Sequence, residues 1–325
     1  MTEPPRTTYN KAICQRWYND NGIVPGVPPV SCQVELMPLD PRGLHPYGYN
    51  PSIWPVLQSN GQPSGKHLLA YRYHPDLTQP ETQIAIAELD RHWRVTANHN
   101  IKLEGESNED PRFFWHDSKL WLSWVKAKFA RLGGFVTSMS CCVAWSNVNT
   151  DKWSVGFECD SSMIPGADKL QKMEKNWVPF EHKKTLKTWY SPSRILNGAE
   201  LPPPKWLYGP MKGGTNPVPY LGAWLRFVHS TLDNEAAPFR RRYFVGCILY
   251  DKDTLEIIGH SKEPIITGSE ADNLTETARA ACPRWKPKVV FPAGCIQVDG
   301  GWLISLGVND AACAIAKITP SMLKL

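Results

Sequence analysis

Four adjacent residues, Glu109-Asp110-Pro111-Arg112, put two carboxylates and a guanidinium ahead of an aromatic run, Phe113-Phe114-Trp115. On extended backbone side chains alternate, so Asp110 and Arg112 share one face and Glu109 takes the other. A carboxylate beside a fixed cation is held in a set orientation, and burial in a pocket raises its pKa toward the range of a general acid. Taken alone, the tetrapeptide more often makes a turn with an ion pair. Four other clusters carry similar chemistry. Glu174-Lys175-Asn176-Trp177 offers three hydrogen-bonding side chains before a ring that could stack on a sugar; the competing role is a strand-end salt bridge beside a core Trp. His229 ends Trp224-Leu225-Arg226-Phe227-Val228-His229, where parity groups Trp224, Arg226 and Val228 on one face and Leu225, Phe227 and His229 on the other. A His on an apolar strand face is usually a core His, and becomes a site residue only where the strand lines a funnel. Asp310 follows Gly307-Val308-Asn309, small residues that allow a ligand to come close, although a turn Asp is the commoner case. Tyr49-Asn50-Pro51 is the fifth cluster.

Several chemistries have no support. The chain lacks GxSxG, HExxH and GxGxxG fingerprints, and Gly213-Gly214 is not followed by the Lys-Ser/Thr of a phosphate loop. No spacing of His, Cys, Asp or Glu calls for a metal, and no organic cofactor is implied. The nine cysteines form no paired CxxC units and lie mostly in apolar stretches, which suits free thiols in a reducing compartment. The first twenty residues lack the basic-then-apolar block of a secretory signal, so the expected location is cytoplasmic. No apolar run approaches the ~18 residues of a membrane span, and no membrane partner is expected. The net charge is +5, with local basic runs only at Lys183-Lys184 and Arg240-Arg241-Arg242. That is too little for the basic stripe of a nucleic-acid binder.

The elements that must position these clusters read as strands. The chain has 29 Pro and 23 Gly in 325 residues, which disfavours a helix bundle and suits short strands joined by turns. Residues 67–74 and 83–90 alternate in polarity as strands do. Asp117-Ser118-Lys119 stands in turn position between two aromatic runs, and Asp299-Gly300 predicts a hairpin whose two central residues both adopt positive φ. One helix is expected within 269–282, acidic early and basic late, and another short one around Asn10–Asn19. Hairpins recur every few tens of residues, and several begin or end in a polar cluster. A repeating β unit of this kind predicts a propeller, whose innermost strands each bring one cluster to a central funnel. A β-sandwich would also explain the strands.

Taken in order, the clusters resemble glycoside hydrolase family 130, the inverting β-mannoside phosphorylases and hydrolases, over residues 46–318. The matching pieces are Tyr49-Asn50-Pro51-Ser52, Leu69-Ala70-Tyr71-Arg72, Glu109-Asp110-Pro111-Arg112, Lys175-Asn176-Trp177 and Gly213-Gly214-Thr215-Asn216-Pro217. They continue with Trp224 to His229, Tyr243-Phe244-Val245-Gly246, Glu263-Pro264-Ile265, Val290 to Gly294, and Gly307 to Asp310. The β-1,2-mannosyltransferases of glycosyltransferase family 108 are similar at this level. The resemblance implies an all-β, five-bladed β-propeller over residues 46–325, with an irregular N-terminal extension over residues 1–45. It implies Asp110 as general acid, acting through a sugar hydroxyl in the phosphorylases. Asn50, Arg72, Lys175, Asn176 and Asp310 resemble sugar contacts, with Glu109, Arg112 and Trp177 beside them, and His229 and Tyr243 resemble positions near phosphate.

One departure stands out. The phosphorylases carry a phosphate-contacting Arg where this chain reads Trp189-Tyr190-Ser191-Pro192, with no Arg until Arg194. Phosphate favours several cationic donors, and the run Arg240–Arg242 is one candidate replacement. Hydrolysis would instead need a carboxylate base, with Glu174 and Asp310 the candidates. The expected substrate is an oligosaccharide or glycoside, a β-mannoside with β-1,2 linkage favoured, with inorganic phosphate as an optional co-substrate. A mannosyltransferase using mannose 1-phosphate or a nucleotide sugar, and a non-catalytic glycan-binding propeller, are the alternatives.

Overall fold

The computed structural model describes residues 34–40, 42–58, 62–132, 135–156, 159–160, 175–196, 198, 200–233, 241–268 and 274–325. Glu174, Arg240 and the helix expected around Asn10–Asn19 lie outside them. After a short strand β1 (Leu36–Pro38), the first antiparallel sheet is β2 (Tyr49–Leu57), β3 (Pro63–Tyr73), β4 (Gln83–Leu89) and β5 (Val95–Asn100), paired in that order. The second is β6 (Ser107–His116), β7 (Lys119–Leu132) and β8 (Phe135–Asn149), with β9 (Ser154–Val155) and β10 (Cys159–Asp160) both pairing β8. The third is β11 (Val178–His182), β12 (Thr185–Ser191) and β13 (Arg194–Ile195). The fourth has β14 (Met211–Lys212) and β15 (Val218–Tyr220) on one edge of β16 (Ala223–Asp233). Beyond β16 lies β17 (Arg241–Asp251), then β18 (Ile257–His260) and β19 (Ile266–Thr267). After helix α1 (Glu276–Ala281), the fifth is β20 (Val290–Val298), β21 (Gly301–Val308) and β22 (Ala312–Ile318).

These five sheets are the blades of a β-propeller, and alternation explains why. The central strands are apolar on both faces, and each face meets a different neighbour. On β3, Leu68 and Ala70 pack with Phe113, Leu122 and Trp124 of the second blade, while Leu69 and Tyr71 pack with Ile296, Leu303 and Ile315 of the fifth. Phe114, Val125 and Val143 of the second blade meet Trp177 at the start of the third. Phe180 and Trp189 of the third meet Val228, Ile248 and Tyr250 of the fourth. Leu225, Phe227 and Val245 of the fourth meet Trp302, Ile304 and Leu306 of the fifth. Five such interfaces close a ring. The parity expected for 224–229 holds: Leu225 and Phe227 face the fifth blade, and Val228 the third.

The ring is fastened by the start of the described chain. β1 adds to β22 as the outer strand of the fifth blade, with Leu36 opposite Ala316 and Pro38 opposite Ala314. Residues 36–38, within the expected extension, are thus part of the propeller. Tight turns link the hairpins. Asp117 and Ser118 have φ of 49° and 55°, and Lys183 and Lys184 have 50° and 61°, as a two-residue turn matched to strand twist requires. The basic pair is therefore a hairpin tip. At Asp299-Gly300 only the glycine, at φ 76°, takes positive φ, so that turn is of another type than expected. The helix expected within 269–282 is described from residue 274 and spans Glu276–Ala281. Among the described residues no helix is long and apolar enough to cross a membrane.

A cationic mouth at the starts of the inner strands

The strands nearest the axis, β2, β6, β11, the interrupted β14–β15 and β20, enter from the same mouth, and the polar clusters sit there. Asn50 and Asp110 occupy equivalent places: each precedes a proline, has φ near +50° (51° and 50°), and coincides with a break in pairing register. A bulge leaves one residue out of the ladder, and proline has no N–H to lose there. Asn and Asp tolerate left-handed backbone better than other side-chain-bearing residues, but the conformation still costs energy. Asn176, Asn309 and Asp310 are also left-handed, at 69°, 53° and 50°. Four blades thus deliver an Asn or Asp to this mouth on strained backbone.

Arg72 ties the first two blades together. Its Nη1 donates to Asp110 Oδ1 at 2.9 Å and lies 3.1 Å from Glu109 Oε2, while Nη2 donates to the Tyr49 hydroxyl. Asn50 Nδ2 donates to the same Asp110 Oδ1 at 2.7 Å. Lys175 Nζ holds Glu109 Oε2 at 2.6 Å. One oxygen of Asp110 is thereby occupied, and Oδ2 has no protein donor among the described residues. Burial pushes the Asp110 carboxyl up. The charges of Arg72, Lys175 and Arg112, with the Asn50 donor, outweigh it and bring the pKa down to about 2. This reverses the expectation that burial raises it: in the unliganded protein Asp110 is a carboxylate anion.

Tyr49 and His74 extend the clamp. His74 Nδ1 meets the Glu81 carbonyl at 3.0 Å and so carries the proton there; its Nε2 accepts from the Tyr49 hydroxyl at 3.0 Å. The Tyr49 oxygen is thus free to accept from Arg72. Burial, with the charges of Arg72 and Arg284, keeps His74 neutral, its pKa down to about 4.

A second group of cations surrounds His229. Lys212 pairs directly across the ladder from His229, placing both side chains on one face. The His229 ring stacks with Tyr243 at 5.7 Å and leans on Phe291 at 4.8 Å, and the Arg112 guanidinium lies 5.4 Å from the same Phe291 ring. Burial, then the charges of Lys212 and Arg112, hold His229 neutral, its pKa down to about 3; Arg241 adds to this. Burial pushes the Tyr243 hydroxyl up. Arg112 gives Nε to the Gly214 carbonyl at 3.0 Å and Nη1 to the Asp110 carbonyl at 3.1 Å. Arg112 Nη2 and His229 Nδ1 are both buried without a hydrogen-bond partner. Arg241 of the basic run acts at this mouth, on both His229 and Tyr243.

The remaining expected residues divide. Asp310 lies at the mouth, paired with Lys286 Nζ at 2.6 Å, and its charge bears on Tyr49, Arg72 and Tyr243. Asn176 packs against Gly213, where a Cβ would come within 2.7 Å of the Asn176 Cβ. Trp177 departs from the stacking role. It is 1% exposed, inside the core between the second and third blades, edge-on to Tyr190, so no sugar reaches its ring. Gly307 also has another purpose than ligand access: a Cβ there would fall 1.9 Å from Asn50 Oδ1, so the glycine makes room for the Asn50 side chain. Sequence reasoning missed Tyr49, His74, Lys212 and Lys286 as site residues. Tyr49 belongs to the Tyr49-Asn50-Pro51 cluster and Lys212 adjoins Gly213-Gly214; nothing in the local sequence marks His74 or Lys286. No cluster of three or more His, Cys, Asp or Glu side chains placed to hold a metal ion occurs among the described residues.

No protein-family model matches the chain, and no curated protein does. Solved structures share its fold. A mannose phosphorylase from Leishmania mexicana, MPT-4, in complex with phosphate ion, superposes with a TM-score of 0.57 at 15% identity, covering 89% of each chain. MPT-1, a GDP-Man-dependent mannosyltransferase from the same organism, gives 0.57 at 12% identity over 95% of this chain and 94% of its own. A β-1,2-mannobiose phosphorylase from Listeria innocua gives 0.52 at 14% identity over 91% and 94%. At these identities the likeness is one of fold.

Proposed function

We propose that the protein is an inverting carbohydrate-active enzyme that transfers a mannosyl group between a β-mannoside, with β-1,2 linkage favoured, and an anionic group such as phosphate. The observation that carries this reading is the pairing of two features at one mouth. One is a carboxylate whose Oδ1 is fixed by Arg72 and Asn50. The other is the Lys212–His229 pair, with the charges of Arg112 and Arg241 bearing on it. A multiply charged phosphoryl group prefers several cationic donors, and these are candidates to replace the Arg missing after Trp189. The names of the structural neighbours supply the mannosyl group and the β-1,2 linkage. They supply no residue roles.

The ionised state of Asp110 is the form from which the synthetic step starts. In synthesis, an acceptor hydroxyl loses its proton to Asp110, directly or through a neighbouring sugar hydroxyl. Its oxygen then bonds to the anomeric carbon as the bond to the departing phosphate oxygen breaks. A carboxylate with a low pKa is already in the form this step needs. Cleavage runs the same path backwards, with the proton returned from Asp110 to the leaving oxygen. Transfer from a nucleotide sugar is a second reading, favoured by the same cations, which suit a diphosphate leaving group. For hydrolysis, one candidate base, Asp310, is engaged by Lys286 at 2.6 Å.

Product analysis on β-1,2-mannobiose, with and without inorganic phosphate, tests the proposal. Mannose 1-phosphate formed only when phosphate is present is the expected result. Free mannose at equal rates in both conditions would make it a hydrolase. Inertness toward mannobiose, mannose 1-phosphate and GDP-mannose alike would remove the mannosyl reading.

A further inference from the structure

The other end of the propeller axis has different chemistry. Where β2, β6, β11 and β20 leave the axis, their final residues and the 216–219 segment surround a cavity of about 890 Å³. It begins at Trp54, four residues beyond Asn50 on β2, hence about 13 Å further along the strand at ~3.3 Å per residue. Between the two lie buried residues: Ser52 Oγ accepts from Phe113 N at 3.0 Å, and Ser305 Oγ accepts from Ile53 N at 3.1 Å. No residue placed at the Asp110 mouth lines the cavity.

Its lining is aromatic and polar without a cation. Trp54 and Trp115 lie parallel, 4° between planes and 6.5 Å between centres, and Trp115 is 43% exposed, unusual for so large a ring. Trp224 and Phe180 continue the apolar wall. Asn216, Glu181, Gln297 and Asp299 supply polar groups around it, and Glu181 is fixed by His116 and the Asp117 amide at 2.9 and 3.0 Å. Three buried polar atoms of lining residues have no hydrogen-bond partner: Asn216 Oδ1, Trp224 Nε1 and His67 Nδ1. Among the described residues no Lys or Arg lines the cavity; Lys252 lies over the Trp224 ring at 6.0 Å without lining it.

We propose that this cavity is a second, non-catalytic binding site for a neutral saccharide. Small-ligand sites are concave, mostly apolar, roughly 300–1,000 Å³ in volume, with a few placed polar groups, and this one fits on each count. A pyranose presents an apolar C–H face that stacks on an indole, and vicinal hydroxyls that bond to carboxylates and amides. The parallel tryptophans provide two consecutive platforms. Asn216, fixed Glu181, Gln297 and Asp299 provide the hydrogen-bonding groups. Sugar hydroxyls within reach of the three unpartnered atoms would relieve the cost of leaving them buried and unpaired. The absence of a lining cation disfavours the phosphorylated sugars proposed for the other mouth. The aromatic lining would also accept a proline-rich peptide, but such a segment has few groups for the carboxylates and amides that ring this cavity.

The site does not depend on the mannosyl reading, and its test separates the two. β-1,2-Mannotriose, β-1,4-mannotriose and cellotriose are titrated by calorimetry into full-length Asp110→Asn protein, which retains both mouths. The same titrations follow in Asp110→Asn with Trp115→Ala, and with Asn216→Ala as a second variant, each checked for an unchanged circular dichroism spectrum. Expected is binding of at least one trisaccharide that weakens tenfold or more in both far-mouth variants and is untouched by 10 mM phosphate. Turnover of Trp115→Ala alone should equal that of the parent on whatever substrate the enzyme accepts. A trisaccharide that binds at the far mouth while no mannoside is turned over would support the site and sink the mannosyl reading. Binding that ignores both far-mouth substitutions overturns the site, as does no binding by any of the three sugars, or a proline-rich decapeptide binding where they do not.

Discussion

The two ends of the propeller axis are built by the same inner strands, yet they differ in backbone conformation and in charge. At the strand starts, Asn50, Asp110 and Asn176 hold left-handed backbone, and charged side chains are buried in contact with one another. At the strand ends the lining residues Trp54, Phe114, Trp115 and Phe180 are absent from the positive-φ set, and the surface is aromatic. Strain and desolvated charge each cost stability, and a fold keeps them where chemistry needs fixed groups. The blade interfaces, apolar on both strand faces, supply the stability that offsets this cost. Position along an inner strand, rather than which blade it belongs to, sets the surroundings of a residue here.

The most forceful way to break the contrast is Asp110→Asn. Removing the ionised carboxylate while keeping the Arg72 and Asn50 geometry should lower turnover by about 10³-fold or more, read as kcat with KM nearly unchanged, as expected for a group used in the transition state. Arg72→Met comes next. It strands Glu109 and Asp110 in a buried site without their guanidinium, and breaking a buried pair costs about 3–5 kcal/mol, measurable by urea unfolding at neutral pH. The pH dependence carries the sign. Asp110 has a lower pKa folded than unfolded, so its contribution is full above the unfolded value of ~3.9 and fades as pH falls toward about 2. Arg72 is the first of the charges that lower this pKa, so Arg72→Met should lose part of that contribution and move acid unfolding to higher pH. A smaller effect is expected for Lys212→Met, which removes one donor to an anion. Phosphate affinity should fall about tenfold, read by calorimetry, with neutral sugar binding unchanged. Smallest is salt. At the ~10 Å Debye length of 0.1 M salt the exposed cations Lys212 and Arg241 are already partly screened. Moving to 0.5 M should weaken phosphate binding a few-fold and leave any saccharide at the aromatic mouth unaffected.

Much of this was legible in the sequence, for reasons that particular residues make plain. Glu109-Asp110-Pro111-Arg112 ahead of an aromatic run reads as a polar cluster at a strand start, whereas the bulges and left-handed backbone at Asn50 and Asp110 show only in the structure. The alternation in 67–74 and 83–90 reads as strands, and burial of both faces explains why their apolar content is so high. What escaped were effects set by distant partners. The pKa of Asp110 depends on Arg72 and Lys175, 38 residues before and 65 after it, and local sequence suggested burial would win. Sequence leaves Trp177 open between a stacking ring and a core ring, and the second blade covers it. Gly307 looked like space for a ligand, whereas the space belongs to Asn50. The closing strand β1 is too short, at three residues, to show a period at all.

The most direct test of the account is the synthetic reaction. Mannose 1-phosphate and β-1,2-mannobiose as acceptor are incubated with the protein and its Asp110→Asn variant, and phosphate release is followed at neutral pH. Expected are acceptor-dependent release by the parent, with a β-1,2-linked product one sugar longer, and a rate lower by about 10³-fold or more in the variant. Release that proceeds equally in Asp110→Asn would contradict the assignment of the ionised carboxylate as the proton acceptor on which the account rests.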